Sequence, residues 1–168
     1  MITITNILVA TDFGPASANA LRYGRALAGR FGARLHVLHV TSSIYLNAAA
    51  TYGFAGASGE AQEEIERSAR KQTEALLADE DRRALGAIAA TATDTSPANA
   101  VVQYARDHAI DLLILGTHGR GALAHLVMGS VAERVVRMAP CPVLTVRDQE
   151  HEFVVPDAGA IAAAAPNG

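Results

Sequence analysis

The chain alternates between two textures: short unbroken apolar runs, and longer stretches in which apolar residues return every three or four positions. The run at 6–10, Asn-Ile-Leu-Val-Ala, is of the kind that makes a strand buried on both faces, and Thr-Asp-Phe-Gly-Pro at 11–15 turns the chain out of it. Over 16–31, Ala20, Leu21, Gly24, Leu27, Ala28 and Phe31 share one helical face, Arg22, Arg25 and Arg30 lie off it, and Gly32 is a natural stop. A second strand is expected over 35–40. Residues 60–85 read as one surface helix with Ile65, Ala69, Gln72 and Leu76 inward, and a weak strand over 87–93 follows. Ser96-Pro97 starts a helix, because serine can cap it and proline suits its first position, and Val101, Val102, Ala105 and His108 continue it. A fourth strand spans 111–115. A helix begins near Ser130, with Val131, Val135 and Met138 inward and Arg134 and Arg137 outward, and a fifth strand spans 142–146.

Strands alternating with amphipathic helices predict an α/β fold: an open parallel sheet with helices on both faces and right-handed crossovers. Such sheets bind ligands beyond the carboxyl ends of their strands, where the strand order reverses. The loops after Ala10 and Leu115 are therefore the candidates. Two segments stand outside the pattern. Residues 41–59, with Tyr45, Tyr52 and Phe54, are longer than the usual loop and read as a variable surface insertion. The end of the chain, Ala-Ala-Ala-Ala-Pro-Asn-Gly, is low in complexity and lacks the bulk for a core. The expected organisation is one domain over 1–147 and a tail over 148–168.

Composition narrows the function classes. A length of 168 residues suits a single domain, and a net charge of -3 with 18% charged residues offers no extended basic surface for nucleic acid. The single cysteine, Cys141, excludes an intrachain disulfide framework and a multi-cysteine zinc cage, which fits a reducing, cytoplasmic setting. The start, Met-Ile-Thr-Ile-Thr, has no basic and apolar export pattern, and no window is apolar for long enough to span a bilayer, so neither export nor a membrane is expected.

The chemistry concentrates in the glycine-rich segment 116–130. Glycines there let backbone approach a ligand closely, and the helix opening at Ser130 presents free amides and a positive dipole end to an anion. Two familiar phosphate loops do not fit. Gly116-x4-Gly121 is followed by Ala122 and Leu123 rather than Lys and Ser or Thr. Gly119-Arg-Gly121 follows the fourth strand and has no acid about 20 residues on, so the dinucleotide fingerprint fails. Ser130 and Glu133 also form a capping-box pattern, which explains both without a ligand. Asp12 could equally organise the turn after its strand, and Arg120 could be a solvated loop charge. His36 and His39 alternate to opposite faces of a strand and cannot chelate together, and His118 and His125 have no acidic or thiol partner nearby. Cys141, between Pro140 and Pro142, reads as a buried, inert thiol.

The spacing Gly116-x2-Gly119-x9-Gly129-Ser130, followed by Val-Ala-Glu-Arg-Val-Val-Arg and Ala-Pro-Cys-Pro-Val-Leu-Thr-Val, resembles the ATP-binding branch of the universal stress protein family. Ile-Leu-Val-Ala-Thr-Asp at 7–12 and Leu-His-Val-Leu-His-Val at 35–40 extend the match, which covers roughly residues 3 to 147. The resemblance implies a five-stranded sheet in the order 3-2-1-4-5, of the adenine nucleotide alpha hydrolase-like type. It also implies ATP as ligand, with any Mg2+ or Mn2+ arriving on the nucleotide. Asp12 would then meet the ribose hydroxyls, Val40 the adenine through its main chain, and Ala10 and Thr11 would line that half. Gly116 would border the ribose, Gly119, Gly129, Ser130 and Val131 would hold phosphate through amides, and His118 and Arg120 would add contacts. Gly14 and Ala132 depart from the family pattern, which often has Ser and sometimes Thr there, and both bear on affinity. The strand Val143–Val146 would be a sheet edge, predicting a homodimer by antiparallel pairing with its twin. The implied function is an ATP-dependent stress or signalling module with a further protein partner; the alternative is a slow ATP hydrolase or nucleotidyl transferase. The Ser-Gly-Gly and His-Ile-Gly-His motifs of related nucleotide enzymes are missing from the sequence.

Overall fold

The computed structural model describes residues 2–43, 59–117 and 129–147. Five parallel strands, β1 (Asn6–Thr11), β2 (Arg34–Thr41), β3 (Ile88–Thr93), β4 (Leu112–Gly116) and β5 (Val143–Val146), form one sheet in the order β3-β2-β1-β4-β5. Around it lie helices α1 (Pro15–Phe31), α2 (Gly59–Ala75), α3 (Asp79–Leu85), α4 (Pro97–Asp107) and α5 (Ser130–Met138).

The central strands are apolar on both faces because both faces are covered. Ile7 and Val9 of β1 pair with Leu35 and Val37 of β2, and Val9 also pairs with Ile114 of β4. These residues pack against Ala20, Leu21 and Ala28 of α1, with Leu77 and Leu85 completing that layer. The alternate residues Leu8, Leu38, Leu113 and Leu115 meet Ala98, Val101 and Ala105 of α4 and Ala132 and Val135 of α5. Gly24 lets α1 lie close on the sheet, since a Cβ there would come within 2.4 Å of a Val9 methyl.

Four local expectations are corrected. The helix expected over 60–85 is two helices, and its inward residues are Gln62, Ala69 and Thr73, with Ile65 39% exposed. Asp79, Glu80 and Asp81 open a new helix because three acids favour an N-terminus, and the Asp81 carboxylate accepts the Ala78 amide at 2.9 Å. On α5 the buried residues are Ala132 and Val135, while Val131 and Met138 are each 40% exposed. Serine does not cap α5 either: Gly129 is the N-cap, Ser130 is already helical, and the Glu133 carboxylate accepts Arg137 Nη2 at 2.8 Å. Likewise Ser96 makes no side-chain cap, and its own amide donates to Asp94 Oδ1 at 2.8 Å. The 44–58 part of the predicted insertion and the 148–168 tail lie outside the described residues.

Candidate functional site

The carboxyl ends of β1, β2 and β4 open into a cavity of about 440 Å3, a size typical of small-molecule sites, which run from roughly 300 to 1,000 Å3. It lies between β1 and β4, where the strand order reverses. Its lining is graded. Leu38, Val40, Pro97 and Val101 make an apolar side; Thr11, Asp12, Ser17 and Thr117 make a polar middle; and Gly129 to Ala132 bring the start of α5.

The polar middle is built by a tight turn. Thr11 Oγ1 accepts the Phe13 amide at 3.0 Å and lies 3.1 Å from Ser17 Oγ, while Ser17 Oγ donates to the Gly14 carbonyl at 2.9 Å. Asp12 Oδ1 accepts the Gly14 amide at 2.9 Å, so the carboxylate does organise the turn. The two readings of Asp12 are compatible, because this bond uses one oxygen and the side chain still lines the cavity. A Cβ at Gly14 would sit 3.1 Å from Asp12 Oδ1, so the glycine gives the carboxylate room to fold back. Phe13 takes a left-handed φ of 63°, which costs a non-glycine residue about 1 kcal/mol or more. The His39 ring lies over it, with centroids 4.3 Å apart, and His39 Nδ1 bonds the Thr11 carbonyl at 2.8 Å.

At the end of the cavity lined by the start of α5 the geometry revises one expectation. The Gly129 amide donates to the Thr117 carbonyl at 2.7 Å, so it fastens the helix start to the end of β4 instead of pointing at a ligand. Glu133 N donates to the Gly129 carbonyl at 3.0 Å, which makes Ser130, Val131 and Ala132 the first-turn residues whose amides have no intrahelical acceptor. Amides so placed, at the positive end of a helix dipole, suit a phosphate.

The sequence model described as the universal stress protein family matches residues 3–147. The chain belongs to that family. A universal stress protein of Thermus aquaticus is 33% identical over 147 residues, covering 84% of this chain and 97% of the relative. The solved universal stress protein of Lactobacillus plantarum superposes with a TM-score of 0.65 at 25% identity, covering 88% of this chain and 100% of that one. Two further solved universal stress proteins share the fold. One is described in complex with cAMP (TM-score 0.55, 22% identity, 88% of this chain and 100% of that one). The other, from Archaeoglobus fulgidus, is described in complex with dAMP (TM-score 0.54, 18% identity, 87% of this chain and 99% of that one).

Within this universal stress protein the cavity gathers Ala10, Thr11, Asp12, Val40, Gly116, Gly129, Ser130 and Val131 from four separate elements and their flanks. His118, Gly119 and Arg120 lie outside the described residues. Sequence reasoning missed Ser17, His39, Pro97, Val101 and Thr117, which also line it. Ser17 carries a legible signal, a hydroxyl inside the first helical turn after Asp12, whereas Pro97 and Val101 arrive through the β3–α4 crossover, which residue spacing does not reveal.

His36 and His39 serve different surroundings. His36 Nδ1 lies 3.0 Å from the Tyr104 hydroxyl on α4, and His39 bonds the β1 carbonyl. Among the described residues, no group of three His, Cys, Asp or Glu side chains is placed to hold a metal. Cys141 is half-buried, and burial followed by the Asp111 charge raises its pKa, which favours the thiol over the reactive thiolate. No described helix is long and apolar enough to cross a membrane.

Proposed function

We propose that this universal stress protein is a cytoplasmic ATP-binding stress or signalling module that works as a homodimer and passes its nucleotide state to a protein partner. The observation that carries the reading is the order of chemistry along one cavity: an apolar slot, a carboxylate, then helix-start amides. Adenine, ribose and phosphates present the same order. The slot between Val40, Pro97 and Val101 suits a flat base, the Asp12 carboxylate suits two hydroxyl donors, and the amides of Ser130 to Ala132 suit a phosphate oxygen. Mg2+ or Mn2+ would come bound to the phosphates, since hard cations of this kind are commonly held through them. The cAMP and dAMP complexes of related folds support the adenine nucleotide class. The dimer reading is supported by β5, which stands at the end of the strand order, and by exposed Val136 and Met138 on the neighbouring α5.

Calorimetric titration of ATP into nucleotide-free protein tests the site. Binding at micromolar affinity, about -8 kcal/mol, is expected. Gly129→Val should weaken it about tenfold or more while circular dichroism stays unchanged, because φ -59° and ψ 143° are open to valine and the added bulk enters the cavity lining. Asp12→Ala should cost less. Equal affinity in wild type and Gly129→Val would place the nucleotide elsewhere, and absence of binding by wild type would remove the ATP reading altogether.

A further inference from the structure

We infer that His39 is a positioning residue for the Asp12 carboxylate, and that through Asp12 it sets the preference of the cavity for a ribose over a deoxyribose. The inference rests on the nucleotide reading of the site. A carboxylate selects a sugar hydroxyl only when its oxygens are held where the hydroxyl arrives, because a mobile carboxylate serves water as well as sugar. Three bonds hold Asp12. The peptide before it is fixed at the Thr11 carbonyl, which accepts His39 Nδ1 at 2.8 Å. The peptide after it is fixed at the Phe13 amide, which donates to Thr11 Oγ1 at 3.0 Å. The side chain itself is fixed by the Gly14 amide at 2.9 Å. With both flanking peptide planes pinned, the backbone of Asp12 has little freedom left.

Of the three, the His39 bond comes from another strand. Thr11 and His39 are register partners on β1 and β2, so the imidazole reaches across the end of the sheet to the last carbonyl of β1. A carbonyl oxygen accepts and never donates, so Nδ1 carries the hydrogen. The same ring lies over Phe13, 4.3 Å between centroids and tilted by 33°, and so covers the residue held at φ 63°. His39 thus braces the turn by a hydrogen bond on one side of Asp12 and by ring contact on the other. It also lines the cavity beside Asp12.

Two substitutions separate these contributions. His39→Phe keeps a ring over Phe13 and removes the donor; His39→Asn removes the ring and keeps an amide nitrogen at the position of Nδ1. The experiment measures calorimetric affinities for ATP and 2′-deoxy-ATP in wild type and both variants, with thermal melts to confirm folding. Wild type should prefer ATP. His39→Phe should lose about fivefold in ATP affinity with little change for 2′-deoxy-ATP, so that the ratio falls toward one, and His39→Asn should restore most of the ratio. A fall of equal size for both nucleotides would show a packing role alone and overturn the inference, as would an unchanged ratio in His39→Phe. Wild type that binds both nucleotides equally would overturn it while leaving the nucleotide reading in place. Wild type that binds neither would overturn both.

Discussion

At Gly116 the lack of a side chain decides how closely β4 can end against α1. A Cβ there would lie 2.8 Å from Ala16 Cβ, 2.9 Å from the Ala16 carbonyl carbon and 3.0 Å from Ser17 N, and two of these atoms are backbone that cannot swing aside. Gly116→Ala should therefore push the start of α1 away from the sheet and destabilise by about 1–3 kcal/mol, read from urea unfolding midpoints. ATP affinity should fall with it, because the displaced turn carries Asp12. An unchanged midpoint would show that the helix start yields freely. Gly129 is different. Its dihedrals are ordinary and its amide ties α5 to Thr117, so Gly129→Ala should leave the midpoint near that of wild type. The spacing of the two glycines marks both as special in the sequence, but it cannot say which one permits close packing and which one opens a helix. That difference arises from Ala16 and Ser17, a hundred residues away in the chain.

At the scale of elements, hydrogen bonds between non-neighbouring segments decide what periodicity leaves open. The break between α2 and α3 is fixed by Arg25 of α1, whose Nε and Nη2 meet the Asp81 carboxylate at 2.9 and 2.8 Å while Nη2 also donates to the Leu76 carbonyl at 2.6 Å. The three acids 79–81 do announce a helix start in the sequence, yet the charged run around them reads equally well as one solvated face. Strand existence was more legible than helix detail, since uninterrupted Val, Leu and Ile runs have few other uses in a parallel sheet. The edge strand β5 gives a test of the proposed dimer. Leu113 N donates to the Pro142 carbonyl and Thr117 N to the Val146 carbonyl, and Leu144 is the register partner of Ile114. In a parallel ladder this phase turns the Val143 and Thr145 amides toward the open edge. Thr145→Pro removes one outward donor and leaves the β4 ladder intact, as proline on an edge strand can. Light scattering should then give a monomer for Thr145→Pro and a dimer for wild type. Two dimers would show that the β5 edge is not the seam.

At the scale of the whole molecule, strand order was legible through resemblance, and the apolar runs alone could not have supplied it: any doubly covered parallel sheet would satisfy the same pattern. Illegible altogether was the interior polarity beneath α4, on the same face of the sheet as Leu8 and Leu38. His36 alternates with apolar neighbours and is 3% exposed, with Nδ1 on the Tyr104 hydroxyl and Nε2 buried without a hydrogen-bond partner. Burial first, then the nearby His108 and Arg34 charges, lower its pKa from the ordinary 6.5 to about 4. The unfolded chain therefore binds a proton at His36 that the folded chain refuses between those two values, and stability must fall as pH drops through that window. The full effect, reached once the pH is below about 4, is roughly 3 kcal/mol, because each tenfold loss of proton affinity on folding is worth about 1.36 kcal/mol. Asp81 and Asp111 work in a lower window. The Arg25 hydrogen bond to Asp81, and the Thr5 hydroxyl and amide bonds to Asp111, hold both carboxyls below their usual range, so their contribution is present above about pH 4 and is lost on further acidification. The loss between pH 6.5 and 4 should accordingly belong largely to His36. Urea unfolding at steps across that range should show it in wild type and lose most of it in the double variant His36→Leu/Tyr104→Phe, which removes the titrating ring and leaves no orphaned hydroxyl. If the double variant keeps the wild-type slope, the acid sensitivity resides in other groups and His36 takes up its proton as readily in the folded chain as in the unfolded one.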